Sequence, residues 1–225
     1  VAANAADIAR DQGASPGEVL FVQAAGLLHD VGRFPQFRDF GTFSDTRSVD
    51  HGERGYAALC GDPAFLRLEV PNRGELLTSV RYHNRRVLPD TLSLAERRLT
   101  DRVRDADKLD IFRVVLDALE NGDFEKNAAV FLEAVPEGPP NPAIVACIRE
   151  GRTASYGDIR NRTDFGLQLL SWAFDFAFDS TCRQLVERGW FDAIIARLPE
   201  YPEAREAAAL ARRHLMNRCG KGDKS

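Results

Sequence analysis

The sequence predicts an all-α fold, and three observations carry that prediction. Apolar residues recur every three or four positions through most of the chain. Capping signals open several of the segments so marked. No run alternates apolar and polar residues long enough to make a strand. Val1, Ala5, Ile8 and Ala9 mark a short amphipathic helix stopped by Gly13. Ser15-Pro16-Gly17-Glu18 then supplies an N-cap, a proline at the first helical position and a capping-box glutamate, opening a helix expected to reach about Asp30. Residues 31–48 contain Gly32, Pro35 and Gly41 and read as a loop. That loop is aromatic, with Phe34, Phe37, Phe40 and Phe43, which either wall a pocket or cap the core.

Further helices are expected over about 48–60, carrying His51, and about 74–86, carrying His83. Ser93 with Glu96 makes a second capping box, opening a long helix that Asn121-Gly122 ends. Residues 137–142, rich in proline, read as a loop between two weaker helical stretches. Residues 165–195 hold Trp172, Phe174, Phe176, Phe178, Trp190 and Phe191 and read as core from two helices broken at Gly189. A charged helix covers about 203–218, and the residues after it read as a frayed tail.

With 225 residues the chain is long enough for one domain with a sizeable core. A single helical bundle over 1–218 is expected, with one half over about 1–120 and a second over about 121–218. Thirty Lys and Arg against 34 Asp and Glu leave a net charge of -4, so broad nucleic-acid binding is not expected. Cys60, Cys147, Cys182 and Cys219 form no Cys-x-x-Cys pair, which excludes zinc-finger and thioredoxin-like sites and fits a reducing cytoplasm. No apolar run approaches the length of a membrane span, and no signal peptide is visible.

The chemistry-bearing residues interrupt apolar surroundings. His29-Asp30 closes the run Val19-Leu20-Phe21-Val22-Gln23-Ala24-Ala25-Gly26-Leu27-Leu28. On the long helix, Asp107 falls in line with Leu99, Val103, Ile111, Val114 and Ala118. His83 lies in line with Leu76, Val80 and Val87, and His51 faces Gly55 and Ala58, small residues that admit a close neighbour. A carboxylate or imidazole so placed is costly unless it has a hydrogen-bond partner or a cation. His29, Asp30, His51, His83 and Asp107, on four predicted helices, therefore form a convergent ligand set for a divalent metal. For any one of them the plainer alternative is a satisfied core residue, or for Asp107 an arginine partner. His214, in a basic tail, reads as exposed and uninvolved.

The order His-Asp, His, His, then Asp within Arg104-Asp105-Ala106-Asp107-Lys108-Leu109-Asp110 resembles the HD-domain superfamily of metal-dependent phosphohydrolases. The resemblance covers roughly 1–115 and includes Leu27-Leu28-His29-Asp30-Val31-Gly32-Arg33, His51 with Gly55, and Tyr82-His83-Asn84. It implies that His29, Asp30 and Asp107 are metal ligands and catalytic residues. It further implies that His51 and His83 bind a second metal or grip substrate phosphate. Arg33 and Lys108 would then contact phosphate, with ordinary surface solvation as the alternative, and Asp105 would orient a ligand histidine. The family has an earlier metal-binding histidine about one turn before the position matching Val1, and no histidine precedes His29 here. Either the natural start lies upstream or the site is degenerate. The absent initiator methionine and the uncapped first helix favour the upstream start.

Signatures of alarmone hydrolases, deoxynucleoside triphosphate triphosphohydrolases and cyclic-dinucleotide phosphodiesterases are absent. The chain is similar to small stand-alone bacterial members with a Gly41-Thr42-Phe43 loop. The expected cofactor is one or two divalent ions, drawn from Mn, Fe, Co, Ni, Zn or Mg, acidifying a water that attacks phosphorus. The expected substrate is a small phosphomonoester, nucleotide or phosphodiester, with a nucleotide favoured. The competing expectation is a non-catalytic nucleotide or ligand sensor on the same scaffold.

Overall fold

A computed structural model describes residues 1–121 and 136–220 of the protein, and every regular element among them is helical. The chain falls into two compact units, Val1–Asp107 and Lys108–Ser225. The divide lies inside a continuous helix, whereas the sequence reading set its two halves apart near residue 120. Continuous helical periodicity leaves no mark of such a boundary in the sequence. The helical stretch expected before residue 137 and the tail 221–225 lie outside the described residues.

The first unit contains α1 (Ala2–Asp11), α2 (Pro16–Leu28), α3 (Arg33–Phe40), α4 (His51–Gly61), α5 (Pro63–Arg67), α6 (Arg73–Tyr82) and the start of α7 (Leu94–Asn121). A single 3-10 turn, Asp45–Arg47, joins α3 to α4. The capping boxes form as expected: Ser15 accepts from the Glu18 amide on α2, and Ser93 from the Glu96 amide on α7. The first part of the expected 31–48 loop is instead α3. Pro35 sits in the first turn, where its missing N–H forfeits no helical bond. Gly41, at φ 66°, closes the helix in the left-handed region. Both loop signals are therefore the start and stop of a short helix. Its phenylalanines do not cap the core, since Phe34 is 76% exposed and Phe37, Phe40 and Phe43 are exposed beside it. Phe37 and Phe43 stack on each other at 4.7 Å.

Three helix ends also differ from expectation. α2 ends at Leu28, with His29 as its C-cap, and α6 ends at Tyr82, with His83 as its C-cap. α4 begins at His51 itself, because the Asp50 side chain caps it by accepting from the Glu53 amide. Val87, aligned with His83 by helical spacing, is consequently outside the helix and exposed.

Glycine lets these ends meet. A Cβ on Gly32 would stand 2.0 Å from the His51 carbonyl oxygen, and one on Gly52 would stand 2.6 Å from that of Arg81. Backbone thus packs on backbone where the α2–α3 corner, the start of α4 and the end of α6 converge. Gly55 admits a Val80 side-chain methyl, 3.0 Å from where a Cβ would stand, in keeping with its small size.

The second unit contains the remainder of α7 followed by α8 (Pro142–Arg149), α9 (Arg162–Ser171), α10 (Asp179–Glu187), α11 (Trp190–Ala196) and α12 (Pro202–Cys219). The apolar stretch 165–195 holds three α-helices and a 3-10 turn, Trp172–Phe174, where two helices are expected. Gly189, at φ 68°, separates α10 from α11, and a further break lies between Ser171 and Asp179. Phe112 packs against Trp172 and Phe191 at the centre of this unit.

Candidate metal centre

Four of the five expected ligands stand at or near helix ends, and only Asp107 is mid-helix. His29 and Asp30 follow α2, His83 follows α6, and His51 opens α4. All three imidazoles are buried. Their Nε2 atoms and the two carboxylates point at one another. Nε2 of His29 lies 3.5 Å from Asp30 Oδ2 and 3.5 Å from Asp107 Oδ1. Nε2 of His51 lies 3.3 Å from Asp30 Oδ1 and 3.0 Å from Nε2 of His83, which is itself 3.5 Å from Asp30 Oδ1. Asp30 therefore sits between two groups, His29 with Asp107 on one oxygen and His51 with His83 on the other.

The other ring nitrogens fix the tautomer each neutral imidazole adopts. His29 Nδ1 is 2.9 Å from the Gly26 carbonyl oxygen, and His83 Nδ1 is 2.8 Å from that of Val80. A carbonyl only accepts, so each Nδ1 carries the proton and donates it. His51 Nδ1 donates likewise to the Asp45 carboxylate, at 2.7 and 2.9 Å. In the neutral rings all three Nε2 atoms are then bare lone pairs. They converge with two carboxylates, so with neutral rings the cluster is made of acceptors alone. His29 Nε2 and Asp30 Oδ1 are buried and have no hydrogen-bond partner. An arrangement of this kind calls for a cation.

The charges respond accordingly. Burial opposes protonation of His29, but the Asp107 carboxylate beside it prevails and raises its pKa above 6.5. Burial likewise opposes ionisation of Asp107, and His29 holds it below the usual carboxylate range. Asp30 is also held below that range, with burial outweighed by the His83 and His29 rings and the Arg33 guanidinium. Asp45 falls to about 2, because the His51 hydrogen bond and charge, with help from Gln36 and Arg33, overcome its partial burial.

The remaining expected residues are placed differently. The Arg33 guanidinium is 3.4 Å from Asp30 Oδ1, but its Nη1 donates to Gln36, the Phe43 carbonyl and Asp45. Lys108, in the second unit, donates to the Asp175 carboxylate and carbonyl. Asp105 is buried two positions before Asp107, about 200° around α7 from it. The acceptors that orient the histidines are Gly26, Asp45 and Val80, and Asp105 is none of them. His214 is exposed, as expected. Asp45 was not foreseen. Its one sequence signal is a carboxylate six residues before His51 in a polar segment, and that is a common arrangement.

The family model described as HD domain matches residues 1–114. The chain belongs to the HD-domain family. The matched span holds every residue of the His/Asp cluster and covers half of the chain. No curated protein and no solved structure matches the chain significantly.

The HD residues fit a metal ion on their own geometry. His29, Asp30 and His83 can each offer one donor atom, all within 4.8 Å of one another. Two donors about 2.1 Å from a shared ion lie about 3.0 Å apart at a right angle and about 3.4 Å apart at the tetrahedral angle. The separations of 3.0 to 3.5 Å in the cluster are of that size. Imidazole and carboxylate donors suit a first-row transition ion best, and the carboxylates extend the range to Mg.

Proposed function

We propose that this HD protein is a metal-dependent phosphohydrolase that cleaves a small phosphorylated substrate, a nucleotide in preference to other phosphoesters. The single observation carrying the reading is the acceptor-only cluster of three Nε2 lone pairs and two carboxylates, which needs positive charge to be stable. A divalent ion, when bound, would supply Lewis acidity toward water and charge neutralisation toward phosphate. His29, Asp30 and Asp107 would hold one ion. His51 and His83, with Asp30 beside them, would hold a second. The protein's own part is positioning. Helix ends packed through glycine contacts place His29, Asp30, His51 and His83, α7 carries Asp107 from its interior, and the three Nδ1 acceptors hold each ring in the ligating tautomer. Arg33, 3.4 Å from Asp30, neutralises charge at the rim and can turn toward a phosphate once its neighbours release it.

Among the described residues no helix is long and apolar enough to cross a membrane. The four free cysteines accord with a cytoplasmic site of action.

The test begins with elemental analysis of wild type, His29→Ala and Asp107→Ala, followed by a screen of phosphomonoesters, nucleotides and phosphodiesters with added Mn. Near-stoichiometric metal on wild type, lost in both variants, together with turnover that falls at least about 100-fold in each, supports the reading. Metal without turnover, with melting shifted by one particular nucleotide, would assign the chain a sensor role instead.

A further inference from the structure

The three ligand imidazoles are not held in the same way. His29 and His83 donate Nδ1–H to a carbonyl three residues earlier, so each ring is oriented by its own helix end. His51 opens α4, and its Nδ1 is met by a side chain, Asp45, from the 3-10 turn between α3 and α4. That carboxylate is itself held on several sides. Gln36 Nε2 donates to Oδ1 at 2.9 Å, Arg33 Nη1 to Oδ1 at 3.1 Å, and Asn84 Nδ2 to Oδ2 at 3.3 Å. Gln36 is fully buried and also donates to Ser48 Oγ and the Val49 carbonyl, tying the turn to α3. Asn84 also donates to Asp50, the cap of α4. Donors from α3 and from the residues after α6 thus converge on Asp45, and Asp45 bears on a single ring nitrogen. The opposite nitrogen of that ring faces Asp30 at 3.3 Å and His83 at 3.0 Å.

We infer that Asp45 is a positioning residue of the metal centre: its carboxylate keeps the His51 proton on Nδ1 and so keeps the Nε2 lone pair aimed at Asp30 and His83. Without it, nothing in the α4 backbone replaces the acceptor, because His51 has no preceding helical turn to offer a carbonyl. A free neutral imidazole favours the Nε2–H tautomer, which would place a proton where the ion belongs. A carboxylate acceptor also makes the imidazole a stronger donor than a carbonyl does. This inference rests on the metal reading proposed above.

The experiment has two arms on the full chain. In the first, long-range nitrogen–proton correlation spectra of the metal-free protein report the tautomer of its four histidines. Wild type should show His51 as Nδ1–H, Asp45→Ala should move it toward Nε2–H, and Asp45→Asn, whose amide oxygen still accepts, should keep Nδ1–H. An unchanged His51 tautomer in Asp45→Ala overturns the inference.

In the second arm, Zn2+ affinity is measured by competition with a chromophoric chelator. Asp45→Ala should weaken zinc binding about 10- to 100-fold, Asp45→Asn by less, and neither substitution should weaken it further in a His51→Ala background. An equal loss in that background would mean that Asp45 merely supports the fold, and would overturn its assigned role. Asp45→Asn gives the decision if Asp45→Ala fails to fold: normal zinc affinity with a changed tautomer would equally sink the inference. Zinc-free wild type under saturating conditions would overturn the metal reading and the inference with it. Zinc-loaded wild type with His51 indifferent to Asp45 would overturn the inference alone.

Discussion

At the scale of single residues, the decisive property is where each imidazole keeps its proton. His29 illustrates the consequence for pH. Its pKa is raised above the ordinary histidine value of 6.5 by Asp107, against the effect of burial. In the metal-free protein the stability this contributes is fully present below pH 6.5 and is lost as pH rises through the raised folded value. A metal ion competes with the same proton, so its contribution runs the other way. At fixed Zn2+ the gain in melting temperature should shrink as pH falls through and below 6.5 and grow as pH rises above it. Thermal melts of metal-free and zinc-loaded protein across about two pH units either side will check this, and a gain independent of pH would remove His29 from the ligand set.

The five residues of the cluster stand out in the sequence because His29, Asp30, His83 and Asp107 interrupt or close apolar stretches and His51 faces the small residues Gly55 and Ala58. The acceptors behind the rings do not. A carbonyl carries no residue identity, so Gly26 and Val80 are invisible in that role, and Asp45 is one carboxylate in a polar segment.

At the scale of elements, the site depends on helix ends and on the glycines that let them touch. A methyl group on Gly32 would meet the His51 carbonyl at 2.0 Å and the Gly55 amide at 2.5 Å, both backbone atoms that cannot swing aside. Gly32→Ala should therefore destabilise the fold by about 1–3 kcal/mol and weaken metal binding, because the shift displaces His29 against His51. At Gly61, the last residue of α4, an added Cβ would have nothing within 4 Å of it. Gly61→Ala should stabilise the chain by about 0.5–1 kcal/mol with metal affinity unchanged. Urea unfolding and chelator competition on both variants will separate the two effects. If Gly32→Ala proves neutral in both assays, the close approach is not what positions the histidines.

The helices themselves could be read from periodicity and caps, but their ends could not. Asp50 caps α4 immediately before His51, and α6 stops before His83, in each case because local hydrogen bonds and packing prevail over continuing apolar spacing. Pro35 and Gly41 misled because the same two residues punctuate a loop and bound a short helix.

At the scale of the whole molecule, every residue of the His/Asp cluster lies in the first unit, and Asp107 is its last residue. Metal binding should then act on one unit by mass action. A divalent ion at 100 times its dissociation constant adds about 2.7 kcal/mol to whatever opening exposes the site. Hydrogen exchange should slow by the corresponding factor, about 100-fold, in the amides after α2, at the start of α4, at the end of α6 and around Asp107. Local openings of α8 to α12 should keep their metal-free rates. Equal slowing in both units would show that they open as one cooperative body. The single-domain expectation is thereby put to direct measurement, since residue pattern along a continuous helix does not reveal where cooperativity ends.

The unequal anchoring of the three rings also bears on what heritable change can reach. The carbonyls of Gly26 and Val80 are supplied by the peptide bond, so no codon change removes the acceptor behind His29 or His83. The acceptor behind His51 is a side chain, and one nucleotide substitution in the Asp45 codon can make it an amide or delete it. Natural variation can therefore grade the support behind one imidazole while the acceptors behind the other two persist. Under the metal reading proposed above, the affinity of the His51 side of the cluster can drift among descendants of this chain while its histidines and aspartates are all retained.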